Sequence, residues 1–394
     1  MKKIALVNQR YGLEVNGGSE YYTRLIAERL KYNFEVDVIT TKALDYTTWE
    51  DYYKSDYEDI NGVHVIRFSV KSQRDKDFGS FNVSYLTELG LNERDVEKEK
   101  VWFEKQGPYC PEAIEFIKKN KDNYDVFIFV TYLYYLTVIG MPEVAEKSVF
   151  IPTAHEEPYI HFKTYESLFK KPAAYIFLTD EEKSLVQGLF DCSDIPCDVM
   201  GTGVDVPCTP DTEAFRNKFN VKDKFIIYVG RIDEAKGCTG LFEDFTEYKK
   251  RNSQSPLKLV LMGKPVCDIP ESDEIINLGF VSEEDKFNGI AAAECLVLPS
   301  KFESLSISVL EAMSLGVPVL VNGICDVLKG HCVKSNGGLY YKNYFEFEGC
   351  LNFMMNNDKK MEIMRANALE YINENYRWDN IMKKFSDIIN MVSK

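Results

Sequence analysis

Histidine is scarce. Four histidines in 394 residues leave few nitrogen ligands for a structural metal. Ten cysteines are present, but the nearest pair, Cys192 and Cys197, fits no zinc spacing. No metal site is expected. No run of 18 or more apolar residues occurs, so no membrane-spanning helix is expected either. The opening stretch "MKKIALVNQRYG" lacks the apolar core of an export signal. The chain is therefore expected in the cytoplasm, at most at the inner face of the membrane, with its thiols reduced. Basic residues are outnumbered 47 to 62, for a formal net charge of −15. That balance excludes a broad nucleic-acid footprint and leaves at most weak peripheral contact with an anionic membrane. Neither a Walker A loop nor G-x-G-x-x-G appears, and there is no fixed-period repeat.

What the chain does have is a series of short apolar, β-rich runs: residues 4–8, 35–41, 63–68, 125–131, 148–153 and 174–179. Helical patterns fall between several of them, most clearly "SEYYTRLIAERLK" at 19–31. Strands that are apolar throughout and alternate with helices predict a parallel sheet covered on both faces. Residues 72–124 break this rhythm. They are polar and charge-dense, with "NERDVEKEKVWFEK" at 92–105, and are expected to form helical insertions and loops over the sheet. A second alternating series follows from residue 224. Its strands fall at 224–230, 257–263, 274–280, 295–300 and 317–323, with helices at 239–251, 282–293 and 305–315. Helices are then expected at 344–356, 358–375 and 378–392. Between the two series lies "GTGVDVPCTPDTEAF" (201–215), loop chemistry that marks an interdomain linker. The predicted fold class is α/β, two doubly wound Rossmann-like domains facing across a cleft: residues 1–203, residues 204–376, and a terminal helix at 377–394.

Ligands of such sheets bind at the carboxyl ends of the strands. Three stretches there suit an anionic ligand. In "VNGGSEYYTRL", Gly17 and Gly18 precede a helix that Ser19 could cap; paired glycines allow close backbone approach, and a helix N-terminus favours negative charge. In "VGRIDEAKGCTG", Arg231 and Lys236 follow a buried strand, where two cations can bracket a diphosphate. In "KFESLSISVLEAMSLGVPVL" (301–320), Glu311 is the only charge between residues 305 and 315, inside an apolar helix. A buried carboxylate needs partners, either a structural salt bridge or ligand hydroxyls such as those of a ribose. Glu303, just before that helix, could take further hydroxyls, and backbone N–H groups at Leu305 and Ser306 could face phosphate.

The two glutamates eight positions apart, followed by "AMSLGVPVL", resemble the signature of retaining GT-B glycosyltransferases of family 4. "YVGRIDEAKG", "GFVSEEDKFNGIAAAECLVLPSKFES" and the linker "GTGVDVP" resemble that family in order and spacing, and "NGGSE" and "IPTAHEEP" resemble a bacterial branch of it. The resemblance implies a GT-B fold whose terminal helix returns to the N-terminal domain. It implies transfer of a sugar from a nucleotide-diphosphate sugar, such as a UDP- or GDP-sugar, to a sugar, lipid-linked or protein-linked acceptor. Neither a cofactor nor a metal is implied. Surface polysaccharide or glycoconjugate assembly is the implied setting. Arg231 and Lys236 would hold the diphosphate and stabilise the leaving group, Glu303 the sugar hydroxyls, and Glu311 the ribose. Leu305 and Ser306 would offer backbone contacts, Gly17 and Gly18 would approach the diphosphate, and Gly263, Gly279, Phe280 and Val281 would line the base pocket. His155 would lie beside the donor sugar; the acidic residue that follows it in many relatives is Asp, where this chain has Glu156. Two other readings remain at this point: a GT-B nucleotide-sugar epimerase, and a sugar-nucleotide-binding protein without chemistry.

Overall fold

The structure, a computed structural model, describes residues 1–15, 17–89 and 95–394. Asn16 of the paired-glycine motif and residues 90–94, which include the start of the charged run expected to be helical, lie outside the described residues. The chain divides into two compact units, Met1–Thr202 with Asp379–Lys394, and Gly203–Trp378.

The first unit contains β1 (Lys3–Val7), β2 (Glu35–Thr41), β3 (Tyr57–Ile60), β4 (Val63–Phe68), β5 (Val126–Val130), β6 (Ser148–Ile151), β7 (Ala174–Phe177) and β8 (Cys197–Val199). Its helices are α1 (Gly18–Leu30), α2 (Phe78–Leu89), α3 (Val96–Gln106), α4 (Pro111–Asn120), α5 (Tyr135–Gly140), α6 (Lys163–Leu168) and α7 (Asp180–Leu189). Among the described residues the strands form an eight-stranded sheet, ordered β3-β4-β2-β1-β5-β6-β7-β8 and parallel except for β3 against β4. The direction of winding reverses between β1 and β5, which pair from Ile4↔Val126 to Val7↔Phe129. Both strands are apolar because helices cover both faces.

The polar insertion does more than lie over the sheet. α3 and α4 bury Trp102, Phe103, Ala113, Ile114 and Ile117 in the core of the unit. Glu99 of α3, fully buried, accepts the backbone N–H groups of Lys163 and Thr164 at 2.8 and 2.7 Å. A charged residue thus serves as a cap for α6, with its charge at the positive end of the helix. The basic-apolar stretch "FKTYESLFKKPAAYIF" turns its apolar residues inward: Phe162, Tyr165, Leu168 and Phe169 are all buried.

The second unit contains α8 (Thr212–Phe219), β9 (Phe225–Val229), α9 (Cys238–Arg251), β10 (Lys258–Met262), β11 (Ile275–Asn277), α10 (Glu283–Ala292), β12 (Leu296–Leu298), α11 (Ile307–Ser314), β13 (Val319–Asn322), α12 (Asp326–Ser335), β14 (Gly338–Tyr341), α13 (Tyr344–Asn356) and α14 (Asp358–Asn375). Its six strands are all parallel, in the order β11-β10-β9-β12-β13-β14, and the winding reverses between β9 and β12. α15 (Trp378–Val392) begins at the boundary; from Asp379 onward it belongs to the first unit. It buries Ile381, Phe385, Ile388 and Ile389, each contributing roughly 1.5–3 kcal/mol by leaving water. Lys384 ties it to the β8 edge through Asp198 at 2.9 Å and Val199 O at 2.8 Å. No helix among the described residues is long and apolar enough to cross a membrane.

Two local expectations are corrected. Ser19 lies inside α1 and is not its cap; Gly17 takes the N-cap position, and Ser19 donates its hydroxyl to Glu20 at 2.8 Å. The helix expected from residue 305 begins at Ile307, because Ser306 sits at φ 66°, outside helical space.

Candidate active site

Each unit presents a set of loops at the carboxyl ends of its strands, flanking the point where the winding reverses. In the second unit the two loops are residues 230–237, after β9, and residues 299–306, after β12. They approach closely. Gly237 has φ 77°, and a Cβ there would stand 2.6 Å from the carbonyl oxygen of Pro299, so a side chain would force the loops apart. The proximity carries the chemistry: Lys236 Nζ reaches Glu303 Oε1 at 2.7 Å across the reversal point. Asp233 organises the first loop. One of its oxygens accepts Nε of Arg231, and the other accepts the backbone N–H of Lys236 at 2.8 Å. Asp233 is buried, whereas the side chains of Arg231 and Lys236 keep 37% and 34% of their surface exposed. The cations are thus aimed by a buried carboxylate and remain open to a ligand. The structure brings Arg231, Lys236 and Glu303 together; Asp233 went unnoticed in the sequence, although it stands only two residues beyond Arg231.

The stretch after Glu303 is fixed from behind. His331, buried on α12, donates or accepts at Nδ1 with the Tyr371 hydroxyl at 3.0 Å, and its Nε2 lies 2.7 Å from the carbonyl oxygen of Leu305, to which it donates. Ser306 follows in the left-handed region, with its hydroxyl buried and without a hydrogen-bond partner in the described structure. A non-glycine residue in that conformation is held there by its surroundings and is a common mark of ligand-binding loops.

Glu311 belongs to a different cluster. It is 5% exposed, and its Oε1 accepts Lys286 Nζ at 2.8 Å; Lys286 also pairs with Glu283 at 2.9 Å. The salt-bridge alternative for the buried carboxylate is therefore present in the structure. Burial raises the Glu311 carboxyl against the pull of Lys286. Burial works against the charge of Lys286, yet the two glutamates outweigh it and hold the ammonium above its ordinary value. Neither Lys286 nor His331 stood out in the sequence, since each finds its partner 25 or 26 residues away.

The glycines of the expected base pocket lie side by side. Gly263 N–H bonds Gly279 O at 2.8 Å, and Gly230 N–H bonds Met262 O at 3.0 Å. Gly263, at φ 145°, could carry no Cβ without overlapping the carbonyl of Gly230. Phe280 is 76% exposed beside them, and Val281 leads to the Ser282 cap of α10. A polar concavity of about 410 Å³, lined by Lys334, Asn336, Asn367, Glu370 and Asn375, contains none of the sequence-predicted residues.

In the first unit the loop after β1 is locked by an internal ion pair. Arg10 Nε donates to Glu20 Oε1 at 2.9 Å, and Gln9 donates to the same oxygen at 2.9 Å. A Cβ on Gly17 would overlap the other Glu20 oxygen, whereas at Gly18 a Cβ meets nothing within 4 Å. His155 follows β6. Its Nε2 lies 3.3 Å from Glu157, which also accepts the Tyr132 hydroxyl. Nearby Glu182, 1% exposed, accepts the backbone N–H groups of Ala154 and Leu178, both at 2.6 Å, and burial pushes its carboxyl up to about 8. It braces the turn that carries His155. Glu156 pairs instead with His161, at 2.5 Å. Among the described residues no group of three or more His, Cys, Asp or Glu side chains could hold a metal ion.

Residues 210–371 match the family described as glycosyl transferases group 1. The chain has the GT-B fold. Solved structures of similar fold include a sucrose-phosphate synthase from Thermosynechococcus elongatus, matched at TM-score 0.71 and 16% identity over 100% of this chain and 99% of that one. The Anabaena protein HepE, solved with UDP and glucose, matches at TM-score 0.71 and 14% identity over 99% of this chain and 100% of that one. In sequence, an uncharacterized glycosyltransferase of Methanocaldococcus jannaschii is 24% identical over 406 aligned positions, covering 97% of this chain and 96% of the relative. The match covers the second-unit candidates from Arg231 to Glu311 and their supports Asp233, Lys286 and His331. The match and the fold together support a GT-B glycosyltransferase.

Proposed function

We propose that the protein is a retaining glycosyltransferase. It moves a sugar from a nucleotide-diphosphate sugar to an acceptor hydroxyl, without a metal, in surface polysaccharide or glycoconjugate assembly. The observation that carries this reading is the Arg231–Asp233–Lys236–Glu303 constellation at the winding reversal of a glycosyl transferases group 1 domain. Breaking a sugar–phosphate bond builds negative charge on the departing diphosphate. Two cations fixed in advance stabilise that charge as it grows and need no rearrangement to do so. On this reading Arg231 contributes a guanidinium fork and Lys236 a point charge. The ligand separates Lys236 from Glu303: the lysine turns to phosphate, and the glutamate to sugar hydroxyls. The backbone of Leu305 and Ser306, held by His331, offers N–H groups to the same ligand. The second Glu311 oxygen accepts from ribose while Lys286 keeps the carboxylate charged. Gly263, Gly279, Phe280 and Val281 receive the base. In the first unit, Gly17 and Gly18 supply close backbone approach, and His155 a hydrogen bond to a ligand hydroxyl. The leaving phosphate acts as base toward an acceptor attacking from the same face, so no side chain is assigned that task.

A thermal-shift screen against UDP-, GDP-, ADP- and CMP-sugars, with and without EDTA, tests the proposal. One donor in large excess over its dissociation constant is expected to stabilise the protein by about 3 kcal/mol, with or without chelator. Stabilisation by none of the four would remove the nucleotide-sugar reading; stabilisation lost in EDTA and restored by magnesium or manganese would remove the metal-free one.

A further inference from the structure

At the carboxyl end of the eight-stranded sheet a second arginine has no use in the scheme above. Arg74 lies just before α2, and its backbone N–H bonds Thr48 O at 2.9 Å. Its guanidinium sits 5.6 Å from the ring of Trp49 and 5.3 Å from that of Phe78. Nε donates to Gln106 O at 3.3 Å, an oxygen that also accepts the Trp49 indole N–H at 2.6 Å. Tyr46, Tyr134, Tyr159 and Asp45 are near enough to act on its charge; the three tyrosines are half-buried, and Tyr134 packs edge-on against Trp49 at 5.5 Å. Asp45 is engaged elsewhere, accepting the backbone N–H groups of Thr47 and Thr48 at 2.7 and 3.2 Å. Among the described residues no carboxylate lies in ion-pair range of Arg74, and Nη1 and Nη2 have no protein acceptor.

The neighbouring arginine sharpens the point. Arg10 lies over the same Trp49 ring at 6.0 Å and over Tyr46 at 5.5 Å, yet it is neutralised by Glu20. Two guanidiniums share one aromatic floor, and only one has its counter-ion. A half-buried guanidinium whose terminal nitrogens meet no protein acceptor is left to water or a ligand, and burial lowers the affinity of Arg74 for its proton. Trp49 and Phe78 are buried, but the partly exposed tyrosine rings can pack on a pyranose, and the fork of an arginine matches a carboxylate or phosphate in two-point contact. Tyr134 also feels the charge of Glu157, the partner of His155. A chain of net charge −15 repels anions in general, which makes a local exception informative.

We propose that Arg74, with the rings of Tyr46, Tyr134 and Tyr159, is an acceptor subsite for a saccharide bearing an anionic group, a carboxylate or a phosphate. The word acceptor rests on the transferase reading; the anion specificity does not.

Ligand-observed NMR titration of the full chain with glucuronate, glucose 6-phosphate, glucose and inorganic phosphate tests the subsite. At least one anionic sugar is expected to bind about 10-fold or more tightly than glucose, the range of a hydrogen bond to a charged group. Which of the two does so identifies the anion. Arg74→Gln is expected to erase the preference, and Arg74→Lys to retain part of it, while both variants bind a nucleotide sugar as the wild type does. Equal binding of glucose and both anionic sugars by the wild type overturns the proposal. So does inorganic phosphate binding as tightly as glucose 6-phosphate, or a preference that survives in Arg74→Gln. If Arg74→Gln does not fold, the wild-type preference and its weakening in Arg74→Lys decide. Selective binding of anionic sugars by a protein that binds no nucleotide sugar would leave the subsite standing and remove the transferase reading alone.

Discussion

Two ion pairs stand in comparable places, each beside the winding reversal of its sheet, and they differ in exposure. Arg10 and Glu20 in the first unit keep 7% and 5% of their side-chain surface, while Lys236 and Glu303 in the second keep 34% and 13%. The first pair is enclosed by its own unit: Gln9, Ser19 and Leu44 O bond to it, and Gly17 lacks a side chain because Glu20 occupies that space. The second is held mainly through its backbone, with Lys236 N–H on Asp233, Ser300 on Lys236 O and Cys325 on Glu303 O. A closed pair shapes a loop; a half-open one can exchange its partner for a ligand. The same residue chemistry thus serves structure in one unit and is available for function in the other.

Removing one carboxylate from each pair tests that difference and is expected to give the largest effect. Glu20→Ala leaves a buried guanidinium without its anion and should cost about 3–5 kcal/mol of folding stability. Glu303→Ala leaves Lys236 free to find water and should cost at most about 1 kcal/mol while abolishing most transfer. Urea titration of both variants, with turnover measured on whichever stays folded, would break the comparison if the two stability losses were equal.

The paired glycines sharpen it further, at smaller magnitude. Gly17→Ala must push Glu20 aside and is expected to destabilise by about 1–3 kcal/mol. At Gly18 a methyl group meets open space at the first turn of α1, so Gly18→Ala should be neutral or stabilise by up to about 1 kcal/mol, while donor affinity falls. Thermal melts and donor titration on the two variants check the opposite signs.

Much of this was legible in the sequence. Apolar runs located the buried parallel strands, because strands covered on both faces must be apolar throughout. β3, β8 and β14 were missed: β3 is an exposed antiparallel edge reading "YEDI", and the other two are short and only partly buried. The insertion is helical as expected, but charge density hid its buried face, since the apolar stripe of α3 lies among residues such as Glu99 whose charge is satisfied by the first turn of another helix. Residue types and spacing singled out Arg231, Lys236 and Glu303, which the structure brings together, and Glu311, which it places in a separate cluster with Lys286. Their supports, Asp233, Lys286 and His331, were not visible in the same way. A support is defined by what it touches: Lys286 meets Glu311 between helices, and His331 meets Leu305 across a loop. The left-handed Thr131 and Thr153, each after a strand, and Ser306, just before α11, carry no residue-type signal, since threonine and serine ordinarily avoid that conformation.

The central claim is that Arg231 and Lys236 manage the charge on a departing diphosphate. Steady-state kinetics of Arg231→Ala and Lys236→Ala at saturating acceptor test it most directly. An interaction that strengthens as the bond breaks acts on turnover, and one equally strong before and during the reaction acts only on binding. The account predicts that each substitution lowers turnover about 100- to 1000-fold, more than it raises the apparent donor constant. The double substitution should cost less than the product of the two, because both cations serve one diphosphate. Wild-type turnover in both single variants, with only the donor constant raised, would contradict it.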